Sequence, residues 1–277
     1  MTRAMKAATA IGIVAAIVGI LGAAMMEGTS PTAFLNMPAM ILVFTGTFGV
    51  TLAACGMDIV KKIPTYYKIA FAGAEHHLAA KVHELVAFAE KARKDGLLAL
   101  ESDLEEIDDA FTKKGMQLVV DGTDPDLVRE ILEVEVDAMA ARHKEGAELF
   151  KTAGGFAPTM GIIGTVMGLV HVLENLDAPA TLGPAISGAF IATLYGVGSA
   201  NVIFLPTANK LKALSEEEIE LRTMTLEGIL SIQAGDNPRV VADKLRSFIP
   251  PAERTTDGAP DGEAEELAAV EPELAAA

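Results

Sequence analysis

Four stretches of about twenty residues with no charged residue at their centres constrain this chain more than any other feature. They run from Ala7 to Met26, Met37 to Met57, Ala153 to Leu173 and Leu182 to Pro206. At about 1.5 Å of rise per residue, each is long enough to cross a hydrocarbon core of about 30 Å. Buried helices of soluble proteins are usually shorter and keep a polar face, which these stretches lack. The expected fold class is all-α: a four-span transmembrane helical protein with a cytoplasmic helical domain inserted between spans two and three. Arg3 and Lys6 before the first stretch resemble the start of a secretory signal peptide. The run is too long for a typical signal, and three more spans follow it, so an uncleaved first span is expected.

Charge is segregated along the chain, and the basic residues assign an orientation because Lys and Arg accumulate on the cytoplasmic side. The connections Glu27 to Asn36 and Asn175 to Pro184 contain neither. Lys61, Lys62 and Lys68 follow span two, Lys151 precedes span three, and Lys210 and Lys212 follow span four. Both short connections are therefore expected outside and both termini inside. The formal net charge is −16, and part of it comes from Asp257, Asp261, Glu263, Glu265, Glu266, Glu271 and Glu273, with no Lys or Arg after Thr255. That composition reads as a disordered acidic tail and does not suggest nucleic-acid binding. The lone Cys55 excludes an internal disulfide and reads as a small packing residue.

The chain thus divides into five regions: spans one and two (1–60), a cytoplasmic helical insert (61–150), spans three and four (151–207), a helical segment packing on the insert (208–254) and the tail (255–277). In the insert, Leu78, Val82, Leu85, Val86 and Ala89 recur at helical spacing, leaving Lys81, Glu84 and Lys91 wet. Asp95-Gly96 breaks that helix and starts another. Thr123-Asp124-Pro125 has the form of a helix start, a capping side chain ahead of an early proline. The helix that begins there is expected to run on into span three. His76, His77 and His83 do not match known ligand spacings and read as surface residues, so no metal site and no cofactor are expected. No nucleophile elbow, phosphate loop or metalloprotease helix is present, so an enzyme is not expected.

Spans three and four differ from the first two. Gly161, Gly164, Thr165 and Gly168 fall on adjoining faces of span three, and Gly188, Ala192, Gly196 and Ala200 form a small-residue stripe on span four. Such stripes let helix backbones approach closely. Pro158 and Pro206, near the cytoplasmic ends of these spans, each remove a backbone donor and can bend the helix. Their roles are either to end or kink the helix or to act as a joint between membrane and cytoplasmic parts. Thr165 and Thr193 place hydroxyls at mid-membrane depth, where they can coordinate an ion or water or can bond back to their own helices. His171 is the one titratable side chain within span three, as an anchor or a functional group. The spans hold no Asp or Glu, so if the chain works on ions, a partner must bring the acid.

The runs FAPTMGIIGTVMGLVHVL, GPAISGAFIATLYGVGSANVIFLP and AEKARKDGLLALE, with the two-span, insert, two-span arrangement, resemble the MotA/PomA family of flagellar motor stator subunits. The resemblance extends to about Arg254, and the wider group is the MotA/TolQ/ExbB proton channel superfamily. ExbB/TolQ proteins usually have three spans and match less well. The resemblance implies a homopentamer around two copies of a MotB/PomB-like partner, whose single span carries an essential Asp. It implies transport of H+ or Na+ that drives torque on the rotor protein FliG. On the family motif, Arg93 and Glu101 match charged residues facing the rotor, with Lys94 beside them. Pro158 and Pro206 match prolines of torque conversion, and Thr193 matches a threonine near the partner's Asp; Thr165 falls where members differ. The alternatives on the residues alone are an ExbB/TolQ-like or defence-system energiser, or a membrane scaffold that conducts nothing.

Overall fold

A computed structural model describes residues 3–73, 78–177 and 179–250, with side chains from residue 8 onward. Every regular element among the described residues is helical. The first part of the chain forms α1 (Arg3–Met26), a 3₁₀ turn (Pro31–Phe34), α2 (Met37–Cys55), α3 (Met57–Val60) and α4 (Ile63–Ala72). The insert forms α5 (Leu78–Asp95), a 3₁₀ stretch (Leu97–Glu106) and α6 (Ala110–Val120). Then come α7 (Pro125–Glu174), α8 (Pro179–Gly198), a π-helical segment (Ser199–Phe204), α9 (Leu205–Gln233) and α10 (Pro238–Arg246). Four helical stretches are long and apolar enough to cross a membrane, and the chain is a multi-pass membrane protein.

Local chemistry explains the boundaries. The Asn36 side chain accepts from the Ala39 N–H at 3.0 Å ahead of α2, and Gly56, at φ 81°, ends it. Only a residue that tolerates positive φ closes a helix so abruptly. Asp124 accepts from the Asp126 N–H at 3.0 Å beside Pro125, as its sequence suggests, and α7 then runs without interruption for 50 residues. After Gly96 (φ 87°) the chain continues as a 3₁₀ stretch and not as the second α-helix that the break suggests. Leu100 and Leu104 are both drawn into the core there. The tail and the pair His76-His77 lie outside the described residues; His83 is exposed.

The chain divides into two compact units. One comprises residues 1–75 and 140–216 and contains the apolar spans; the other comprises residues 76–139 and 217–277. Helices α7 and α9 each contribute residues to both. The second unit has its own core, in which Leu85, Leu100, Phe111, Leu132, Ile229 and Leu245 are at most 1% exposed. Burying each such side chain contributes about 1.5–3 kcal/mol before entropy is counted. Polar pairs close its edges: Glu227 meets Lys244 at 2.6 Å and Arg129 at 2.9 Å, and the Arg222 guanidinium lies 4.9 Å from the Phe111 ring centroid.

Candidate ion-path site

The site begins with backbone contact between α7 and α8. A Cβ added to Gly161 would lie 2.9 Å from the Ala192 carbonyl oxygen and 3.1 Å from Thr193 Cα. One added to Gly196 would lie 2.5 Å from the Ala157 oxygen, and one on Gly168 would lie 2.7 Å from Ala189 Cβ. Gly161, Gly164 and Gly168 on α7 and Gly196 on α8 are therefore spent on this crossing, as packing without a hydrophobic driving force requires, whereas a Cβ on Gly188 would meet the Asn36 side chain. At the crossing the hydroxyls of Thr165 and Thr193 touch. Thr165 Oγ1 also lies 2.9 Å from the Ala189 carbonyl oxygen and 3.2 Å from that of Gly161.

A hydroxyl has one proton to donate. With Thr165 donating to the Ala189 carbonyl and Thr193 donating to Thr165, both oxygens keep lone pairs on a half-buried surface. Such oxygens can replace part of a cation's hydration shell or hold a water. Neither can serve as an acid. His171, the other membrane candidate, is exposed near the end of α7, with its ring and carbonyl next to the Asn175 amide. It shares a crevice of about 330 Å³ with Asn36, Leu42, Gly168 and Pro184, whose lining reaches Gly164, Ala189 and Ala192 but includes neither threonine.

Pro158 lies inside α7 and Pro206 at the start of α9. A Cβ on Gly154, one turn before Pro158, would meet Leu205 Cδ2 at 2.8 Å, directly beside Pro206. The two prolines thus flank one contact between the helices. A proline ring clashes with the carbonyl four residues earlier. Before Pro206 the chain widens into the π segment Ser199–Phe204, where the Leu205 N–H bonds to the Ala200 carbonyl. Polar side chains take up carbonyls nearby: Ser199 donates to Gly196 at 3.2 Å, Asn201 to Val197 at 2.9 Å and Thr207 to Ile203 at 2.7 Å. Irregular backbone at membrane depth needs such compensation.

The charged candidates are elsewhere, in the second unit. Arg93 and Lys94 occupy the last turn of α5 and Glu101 the 3₁₀ stretch; all three are exposed, with no ion-pair partner among the described residues. Leu98 between them is 72% exposed. Lys91 fixes this edge by bonding Asp103 at 2.6 Å, and that hydrogen bond holds the Asp103 carboxyl below its usual range.

This arrangement has known relatives. Motility protein A of Borreliella burgdorferi is 43% identical over 222 residues, covering 80% of this chain and 85% of its own. The chain belongs to the Motility protein A family of flagellar stator subunits. The profile of the MotA/TolQ/ExbB proton channel family matches residues 103–224, which include both threonines and both prolines. Chemotaxis protein PomA of Vibrio alginolyticus is 35% identical, covering 91% of this chain and 99% of its own. The chain in the structure of the flagellar MotAB stator complex from Bacillus subtilis superposes with a TM-score of 0.85 at 37% identity, covering 90% of this chain and 98% of that one.

Two features of the stator site are not apparent from the sequence. The π segment is one; Pro206 is its only visible signal. The other is Tyr195, whose hydroxyl donates to the Phe34 carbonyl and lies 3.4 Å from the Asn36 N–H, tying α8 to the connection between α1 and α2. The single phenolic hydroxyl of the span, on Tyr195, is the signal that could have found it.

Proposed function

We propose that this stator subunit lines one side of an ion path whose carboxylate comes from a MotB-type partner, and that H+ or Na+ moving along it turns a rotor. The observation that carries the reading is the Thr165–Thr193 hydroxyl contact, set between spans that contain no acid. The Bacillus relative of known structure is a MotAB complex, and a partner acid beside Thr193 completes the chemistry that this chain lacks. In the reading, Pro158 and Pro206 are the joints at which an ion-dependent movement bends α7 and α9. Both helices continue into the second unit, where Arg93, Lys94 and Glu101 meet a FliG-type rotor protein. Copies of the chain, five on the family pattern, surround the partner. Both termini face the cytoplasm. The work is conduction and force, without covalent catalysis.

The test is torque and ion dependence in cells carrying this chain and its partner. Thr193→Ala and Pro158→Leu are expected to reduce swimming with normal amounts in the membrane. Swimming speed against sodium concentration, with an uncoupler as control, separates Na+ from H+. Normal torque in both variants would remove the path assignment.

A further inference from the structure

Residues 56–73, between the end of α2 and the end of α4, hold Lys61, Lys62 and Lys68 against a single carboxylate, Asp58, in a chain whose net charge is −16. All three lysines are exposed, and none of their ammonium groups has an ion-pair or hydrogen-bond partner among the described residues. The cations Lys151 and Lys212 of the same unit are paired, with Glu148 at 3.0 Å and Glu216 at 3.6 Å.

Helix α4 explains how the free lysines are presented. Its inner face is occupied: Ala70 is 1% exposed, and the Tyr67 and Tyr66 rings lie 4.9 and 6.5 Å from that of Phe150. Lys68 stands about 160° around the helix from Ala70. It is flanked by Ile69 at 44% and Phe71 at 38% exposure. A cation between two exposed apolar side chains suits the boundary between headgroups and acyl chains, where the apolar groups enter the lipid and the ammonium reaches outward. Lys61 and Lys62 come six and seven positions after the last residue of span α2. So short a tether keeps them at the membrane surface.

We infer that Lys61, Lys62 and Lys68, with Ile69 and Phe71, form a binding surface for anionic phospholipid headgroups of the adjacent leaflet. The occupant is fixed by charge complementarity and by continuity with the span. A lysine at a negatively charged bilayer surface strengthens binding by about fivefold. The surface depends only on the spans lying in a bilayer and holds whichever ion is carried.

The chain contains no tryptophan, so Phe71→Trp supplies a sole tryptophan reporter, excited at the red edge of its band where the tyrosines do not absorb. The full chain is reconstituted in phosphatidylcholine vesicles containing brominated phosphatidylglycerol or brominated phosphatidylcholine. Quenching by the anionic lipid is expected at about one-fifth of the mole fraction that the neutral lipid needs. The combined variant Lys61→Gln, Lys62→Gln, Lys68→Gln is expected to remove the difference, and 0.5 M salt to shrink it, roughly as screening to a Debye length of a few Å requires. Ile69→Trp, on the other flank, must give the same ordering; this covers disturbance of α4 by the first reporter. Soluble glycerol phosphate is expected not to compete. Equal quenching by the two lipids in the single-tryptophan chains that keep all three lysines, a preference that survives the triple replacement, or displacement by glycerol phosphate overturns the proposal.

Discussion

Gly196→Ala is the smallest change that tests whether the contact between α7 and α8 sets the geometry of the hydroxyl pair. The added Cβ would stand 2.5 Å from the Ala157 oxygen and 3.0 Å from Gly161 Cα, where ordinary contact begins at 3.4 Å. The atoms it meets are backbone, so no side-chain rotation relieves the clash, and the helices must part by about 0.9 Å, the shortfall between 2.5 and 3.4 Å. Overpacking of this kind costs about 1–3 kcal/mol, and the better helix propensity of alanine returns about 0.5–1 kcal/mol. The net expectation is a loss of about 0–2.5 kcal/mol, the difference of those two ranges. Thr193 lies one turn from Gly196 on the same crossing, so the Thr165 contact opens by a comparable amount. A misplacement of about 1 Å in a reacting arrangement can cost on the order of 100-fold, so even partial transmission lowers torque severalfold. The assay is stall torque per stator unit by bead rotation, with the thermal midpoint of the purified protein. Gly198→Ala is the control, because a Cβ there meets nothing within 4 Å. If the two variants give the same torque and the same midpoint, the crossing does not control the pair.

Two further expectations concern the second unit. Combined reversal of Arg93 and Lys94 to Glu is expected to leave the thermal midpoint unchanged, since both are exposed and have no ion-pair partner among the described residues, and to lower torque partly; recovery with a charge-reversed rotor protein supports contact, and unchanged torque argues against it. For Glu227, burial alone would raise the carboxyl, but hydrogen bonds and charge from Lys244 and Arg129 outweigh it and hold it below the usual range. A depressed folded-state value means that the stabilisation is present above the unfolded value of about 4.3 and is lost as pH falls through the lower folded one. Glu227→Gln should therefore be less stable near neutral pH and converge with the parent in acid, as read from thermal melts monitored by circular dichroism. Parallel curves would show that the pair contributes nothing pH-dependent.

What could be read from the sequence was set by local rules. Span lengths come from uncharged apolar runs, and the start of α7 from a capping Asp ahead of Pro125. Thr165 and Thr193 could be placed at similar depth on faces of small residues, but that their hydroxyls touch is visible only in the structure, since it depends on how closely the two backbones approach. The sequence does not show where a regular pattern yields to tertiary packing. Leu97–Glu106 has apolar spacing compatible with an α-helix, yet it is wound as a 3₁₀ stretch, a choice decided by how Leu100 and Leu104 enter the core. Span four reads as one helix ending at Pro206. In the structure, helical backbone continues from Pro179 to Gln233, because the π segment makes room for the proline and Ser199, Asn201 and Thr207 bond to nearby carbonyls. That difference bears on mechanism. A proline that ended the helix would uncouple the span from the remainder of α9, whereas a widened turn preserves continuity and concentrates bending at one place. The same logic applies to Pro158 inside α7. Two helices that persist through their weakest turns, packed together at Gly154 and Leu205, can bend there while staying in register, a property that an uninterrupted helix or a broken one would lack.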